Sequence, residues 1–404
     1  MSTLFIDQLL SIRTYTGTEG PKWSPDGSRI LFVSGMGGEM DLWTIAPSGG
    51  VPERLTAGVG EIPFLGARWP QWSPTGEYAS YISAKSGNGE VWLWTGRGPD
   101  VRLTRLGGQI EAMSWSPDGR SIVLAGNREG SYDIYRVEVP SGGATRLTRD
   151  RLYEVYPAFL PDGRIVYVRL NESWTDHDII VMNGDGSNPR VVLRDTDMFD
   201  YHYGRTFGTP VPSPDGRSLL FRSYRSGWFN YYVVPTEGGA PRPIAAAESD
   251  QSEAAWSPDG RFIAYVENHN GTLDLRVVAA SGGAATGGAP TVIVAPRDGV
   301  CALPDWSPDG TRLCYLLQST TSLHDLWVVR IADHAATQLT RSVPEWAAPS
   351  LTASEKVSYR TFDGLTINAY LYNPRDRRAR SSPAILWIHG GPTSQYMDTF
   401  QAGP

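Results

Sequence analysis

Trp23-Ser24-Pro25-Asp26-Gly27 decides the fold, because the chain writes it repeatedly. It returns as Trp72-Ser-Pro-Thr-Gly76, Trp115-Ser-Pro-Asp-Gly119, Trp256-Ser-Pro-Asp-Gly260 and Trp306-Ser-Pro-Asp-Gly310. Degenerate copies stand at Phe159-Leu-Pro-Asp-Gly163 and Pro212-Ser-Pro-Asp-Gly216. Seven copies follow one another at steps of 49, 43, 44, 53, 44 and 50 residues. Each has the chemistry of a tight turn. Pro presets φ for the first central residue, Asp suits the next, and Gly takes the left-handed position that closes the hairpin.

Each marker is followed by the same programme. An apolar run comes first, such as Ile30-Leu-Phe-Val33 or Phe262-Ile-Ala-Tyr-Val266. An acidic or amide residue then opens a second run: Asp41, Glu90, Asp133, Asp178, Asn230, Asp274 and Asp325. A small-residue turn and a short strand such as Arg54-Leu-Thr56 or Arg146-Leu-Thr148 complete the unit. Four short strands at this period describe a propeller blade. One four-stranded sheet leaves two apolar faces, and radial stacking covers both. The predicted fold is all-β: a seven-bladed β-propeller of four-stranded blades over residues 1–341, with a lead-in at 1–19. The Trp of the marker is assigned to packing between blades.

The repeat resembles the TolB-type propeller motif and, equally, the N-terminal propellers of the prolyl oligopeptidase family. The likeness covers roughly residues 20 to 341 and speaks for fold, not activity.

After Thr340 the pattern stops. Residues 342–354 read as a linker, and residues 355–404 as a different unit. Lys356–Arg360 and Leu365–Tyr372 flank Asp363-Gly364, which predicts a hairpin with a two-residue turn. An apolar strand is expected at Ala384-Ile-Leu-Trp-Ile388, buried and running into His389-Gly-Gly-Pro392. Glycines after a buried strand let a backbone N–H approach a substrate carbonyl and face a developing oxyanion. Hairpin, strand and His-Gly-Gly-Pro in this order resemble the start of the catalytic α/β-hydrolase domain in the prolyl oligopeptidase family. The acylaminoacyl-peptidase and dipeptidyl-peptidase-like branch is the nearest in kind. The resemblance implies that the N–H of Gly391 is an oxyanion-hole donor, with His389 and Gly390 shaping the loop. It also implies acyl transfer through a serine ester, with the propeller restricting access to short peptides. The family's nucleophile elbow, Gly-x-Ser-x-Gly, does not occur in the 404 residues. The expectation is a complete propeller followed by the first strands of a truncated hydrolase, inactive alone.

Substrate-gating candidates come from the face of the disc that carries the blade-to-blade connections. The longest step holds the aromatic insert with Tyr201, Tyr203 and Arg205. Glu111, Glu154 and Glu253 recur just before the expected first strands, and Glu154 and Glu253 are the candidates for a peptide's ammonium group. Solvated loop carboxylates are the competing assignment.

Composition excludes several classes. The net charge is -7 and no basic run occurs, which argues against nucleic acid as a partner. No apolar run approaches the ~20 residues of a membrane span. Met1–Thr16 lacks a basic stretch followed by an apolar core, so a cytoplasmic location is expected. Two cysteines, Cys301 and Cys314, read as reduced thiols rather than a disulfide. No H-E-x-x-H, Gly-x-Gly-x-x-Gly or Walker A motif occurs, so no metal and no cofactor is expected. The expected partners are short peptides, with a homo-oligomer compatible. Two other functions stay open: a non-enzymatic TolB-like binding module and a metal-dependent lactonase-like propeller.

Overall fold

Every marker forms the turn between the first and second strands of a four-stranded antiparallel sheet. The structure, a computed structural model, describes residues 20–58, 68–172, 176–196, 210–281, 289–373, 384–390 and 395–400. The seven sheets span residues 22–54, 68–102, 110–146, 153–195, 211–243, 251–294 and 299–338, blades 1 to 7. Each uses four consecutive strands. A single parallel bridge, Leu273 to Val300, joins blades 6 and 7. The first strands of neighbouring blades touch one another, so they form the inner ring.

The marker turn builds its own hydrogen-bond cage. Gly27 N–H donates to Ser24 O at 2.9 Å, closing the turn. Ser24 Oγ donates to Asp26 Oδ1 at 2.6 Å and accepts from Arg29 N–H at 3.0 Å. The same pair of bonds recurs at Ser116, Ser213, Ser257 and Ser307. The Ser24 hydroxyl is the main reason the Asp26 carboxyl is held down to about 2. Gly27 has φ +69°, where any side chain is strained, and its open side lies against the Pro308 ring of blade 7.

The marker tryptophans reach across blades. Trp115 Nε1 donates to Ser80 Oγ at 2.8 Å, Trp256 Nε1 to Val211 O, and Trp306 Nε1 to Ala255 O. Trp23 does the same where the ring closes: its indole donates to Asp305 O and its backbone N–H to Asp305 Oδ2 at 2.9 Å. Lys22 adds an ion pair to Asp305 at 3.1 Å. Blades 1 and 7 each complete their own sheet, so side chains rather than a shared strand make this closure.

The acidic residue that opens the third strand has an equally local use. Asp325 accepts from Thr340 Oγ1 at 3.0 Å, Ser342 N–H at 2.7 Å and Gln338 Nε2 at 3.2 Å. Glu90 pairs with Arg102 at 3.0 Å and Asp133 with Arg146 at 2.8 Å. The Thr of the Arg-Leu-Thr strand also caps the third strand: Leu42, Val91, Ile134 and Leu326 N–H donate to Thr56, Thr104, Thr148 and Thr340. At Glu90 and Asp325 the short motif therefore satisfies a buried carboxylate and a backbone donor together, as burial requires.

The first strands carry a repeated irregularity. Trp69, Tyr156, Glu253 and Leu303 all have φ between 53° and 58°, three residues before their markers. The strand registers shift at the same places. These are β-bulges with a non-glycine residue in the left-handed region.

Residues Glu355–Arg360 and Thr366–Leu371 form the expected hairpin. Its turn is longer than expected: Thr361 N–H donates to Leu365 O, leaving three residues, 362–364, in the loop. The expected buried strand at 384–388 is not found. Among the described residues it has no sheet partner, and Ile385 and Leu386 are 93% and 83% exposed. An apolar run becomes a strand only where a ladder and a packed face receive it, and the described residues supply neither.

Candidate functional site

Chain direction fixes which loops share a face. The marker turns and the third-to-fourth-strand turns lie at one end of the strands. The second-to-third-strand turns and the blade-to-blade connections lie at the other. The C-terminal segment docks on that second face, over blades 6 and 7, whose second and third strands run eight or nine residues.

The docking is a polar latch around the tip of blade 6. Asp398, 1% exposed, accepts from Lys356 Nζ at 2.8 Å and from Thr272 Oγ1. Its N–H donates to Gly271 O at 2.8 Å, and Asn268 Nδ2 donates to Gln395 Oε1 at 2.8 Å. Gly271 has φ +88°, and a Cβ there would come within 2.2 Å of Tyr370 Oη. Glycine is therefore required by both backbone and space. Burial is the main cause that pushes the Tyr370 phenol up. Ser354 N–H and Gln318 Nε2 extend the contact to blade 7, through Thr320 Oγ1 and Phe400 O. Sequence reasoning missed Asp398, since nothing local marks a lone Asp near the end of a polar segment.

His389 lies beside this latch. Its ring meets Tyr396 edge-on with centroids 5.7 Å apart, and Nδ1 stands 3.1 Å from Gly390 O. A side chain at Gly390 would meet nothing within 4 Å. Gly391 lies outside the described residues, as do Tyr201, Tyr203 and Arg205.

The acidic candidates are in strands, not in loops before them. Glu111, Glu154 and Glu253 belong to the first strands Ile110–Trp115, Tyr153–Phe159 and Gln251–Trp256. The bulges lengthen these strands beyond what the periodicity suggests. Glu253 Oε2 accepts from Leu303 N–H in blade 7, a donor set free by the bulge there. Glu154 lies in the seam between blades 3 and 4, 2% exposed, and its burial pushes the carboxyl up to about 7. The structure thus separates the two glutamates rather than gathering them in one site.

Both cysteines are free and buried, and burial pushes their thiols up. Among the described residues no three His, Cys, Asp or Glu side chains are placed to hold a metal ion. No helix among them is long and apolar enough to cross a membrane.

Comparison with known proteins supplies context for this geometry. The family model described as "TolB beta propeller domain" matches residues 67–192. An uncharacterized protein of Agrobacterium fabrum is 31% identical over 261 residues, covering 61% of this chain and 84% of that protein. Among solved structures, a puromycin-hydrolyzing peptidase of Mycobacterium tuberculosis matches with a TM-score of 0.77 at 18% identity. That match covers 99% of this chain and 65% of the peptidase. The acylaminoacyl peptidase of Pyrococcus horikoshii matches with a TM-score of 0.70 at 14% identity, covering 96% of this chain and 62% of that one. The chain spans about two thirds of the length of these peptidases.

Proposed function

The chain belongs to the TolB-like β-propeller family, and from that premise we propose that it is the propeller part of a serine-type peptidase. The peptidase hydrolyses short peptides by acyl transfer through a Ser-Asp-His triad, and the propeller gates access. Gly391 contributes its backbone N–H to the oxyanion hole, and His389 and Gly390 shape that loop. Tyr201, Tyr203, Arg205 and Glu253 are the gating groups. The nucleophile comes from sequence outside these 404 residues, which carry no Gly-x-Ser-x-Gly elbow.

One observation carries the reading. Residues 355–400 have no place in a bare propeller, yet Lys356, Gln395 and Asp398 among them dock on the face that holds the blade-to-blade connections. The peptidase likeness extends over these residues as well as the disc. The exposed apolar run Ile385–Ile388 supports the same reading, because a hydrolase sheet would cover it.

Two measurements decide. The coding sequence past codon 404 should contain an in-frame Gly-x-Ser-x-Gly, and the native protein should be labelled by a fluorophosphonate. A stop codon there, with no labelling of the native protein, sinks the peptidase reading. It would favour a TolB-like binding module instead, which the match at residues 67–192 supports.

A further inference from the structure

A cleft of about 440 Å³ opens in the seam between blades 3 and 4, and Glu154 lines it. The repeat shows why this residue is unusual. The position five residues before the marker is buried in each blade where it is described. It is Ile110 in blade 3, Gln251 in blade 6 and Cys301 in blade 7. Two of these need no polar partner. Gln251 is fully used: Oε1 accepts from Tyr231 N–H at 2.9 Å and Nε2 donates to Ala245 O at 2.8 Å.

Glu154 is less fully used: the Thr148 and Tyr167 hydroxyls face its carboxyl, but they do not satisfy both oxygens. The backbone donor that Gln251 caps in blade 5 corresponds to Ile134 N–H in blade 3, and Thr148 Oγ1 already caps that one at 2.9 Å. Glu154 Oε2 is left buried with no donor. A buried acceptor without a donor is costly, and native structures rarely keep one that serves nothing. The other charges of the cleft are unequal. Arg169 is held by Asp178 at 3.0 Å and Asp150 at 3.4 Å. Arg149 and Arg151 are exposed on the same cleft. Leu147, Met182 and Pro189 supply an apolar wall.

We propose that this seam cleft binds a small α-substituted carboxylic acid. Its carboxylate is held by Arg149 and Arg151, and its α-ammonium or α-hydroxyl donates to Glu154 Oε2. A simple cation would have to pass two arginines, and a simple anion would leave the buried oxygen without a donor. A ligand with both groups answers both charges, and the apolar wall suits a branched aliphatic side chain. Binding here needs no hydrolase site, so it stands or falls apart from the peptidase reading.

Calorimetric titration of the chain with four probes tests this. L-Leucine and 2-hydroxy-4-methylpentanoate carry both groups, 4-methylpentanoate lacks the donor, and leucinamide lacks the carboxylate. At least one of the first two should bind, with the corresponding truncated probes about tenfold weaker or worse. Glu154→Ile, which copies the equivalent position in blade 3, should lose binding. Arg149→Ala with Arg151→Ala should weaken the acids and leave leucinamide unchanged.

The pH dependence separates the two ligand arms. Thr148 and Asp150 of the connection, Asp133 of blade 3, and Tyr167 and Arg169 of blade 4 face Glu154. Affinity that rises with pH through about 7 marks the ammonium arm, and affinity that does not rise marks the hydroxyl arm. No heat from either complete probe at about 10 mM overturns the proposal. So does undiminished binding of 4-methylpentanoate, a result that needs no variant to fold.

Discussion

The propeller and the segment after it solve the same problem in opposite ways. In the propeller, most buried polar groups are answered within a few residues or by the next blade, with exceptions such as Trp72 Nε1, Tyr135 Oη and Glu154 Oε2. The marker serine holds its own turn, and the strand-opening carboxylate meets the Arg-Leu-Thr strand of its own sheet. The C-terminal segment has no repeat to answer it. It is fixed mainly around one buried carboxylate, Asp398, with a few further bonds to the tips of blades 6 and 7, and shows its apolar run to solvent. Stability in the first region is distributed over many equivalent contacts. In the second it rests on a few bonds at the tips of two neighbouring blades.

The sharpest test removes the same atoms from both regions. Leu124 is fully buried in the packing between blades 2 and 3, and Leu386 is 83% exposed. Leu124→Ala should lower the unfolding free energy by about 2–5 kcal/mol, through lost transfer energy and an unfilled cavity. Leu386→Ala should change it by less than about 0.5 kcal/mol. Urea midpoints at constant m-value report both. Equal losses would mean that the segment after the propeller is packed in solution.

The two regions also differed in how much of them could be read. The Ser-Pro-Asp-Gly turn is local chemistry, so seven copies fixed seven blades, the turn geometry and the inner ring. Trp23 and Trp306 were legible as seam residues because only a neighbouring blade could bury them. The bulges at Tyr156, Glu253 and Leu303 were not legible. No local sequence signal marks a left-handed non-glycine residue, and Glu154 and Glu253 lie in strands that were expected to start later. The latch was invisible for another reason. Asp398 and Thr272 lie 126 residues apart, and no periodicity connects them. His389-Gly-Gly-Pro392 could be read as chemistry but not placed, since the fate of Ile385–Ile388 depends on what covers it.

Glu154 is one of the buried polar groups that the propeller leaves incompletely answered, and pH exposes it. A free glutamate titrates near 4.5, whereas burial pushes this one up to about 7. Between those values the folded protein holds a proton that the unfolded chain has released. Stability therefore falls as pH rises from about 4.5 to 7 and stays lower above that. Glu154→Gln removes the titration. It should be nearly neutral at about pH 4.5 and stabilising on the order of 2–3 kcal/mol at about pH 8 in the absence of ligand. Thermal melts across that range give the answer. A constant difference between the two proteins would show that Glu154 is ionised throughout.

A smaller effect is expected at a single turn. Ser257 donates to Asp259 at 2.6 Å and accepts from Phe262 N–H at 2.9 Å. Ser257→Ala should cost about 1 kcal/mol, because one bond is lost and a backbone donor goes unanswered. The six sister turns remain, so the unfolding transition should stay single. A second transition would show that blade 6 melts separately and that the ring is less cooperative than its closure at Asp305 implies.

The smallest global effect should come from the residue that holds the second region. Asp398→Ala removes the acceptor for Lys356 and Thr272 but touches no blade core. Propeller unfolding should shift by less than about 0.5 kcal/mol. Local opening should change far more, because the hairpin of residues 355–371 is held to blade 6 largely by this group. Amide exchange should rise in that hairpin and at Gly271, with the inner strands of blades 1 to 5 unchanged. Lys356→Ala should reproduce the pattern more weakly, since Thr272 and the Gly271 carbonyl still hold the segment. If Asp398→Ala instead lowered the global midpoint as Leu124→Ala does, the latch would be part of the propeller's own cooperative unit. The division between a self-satisfied disc and a docked segment would then be wrong, and blades 6 and 7, bridged through Leu273 and Val300, would be where the two had become one.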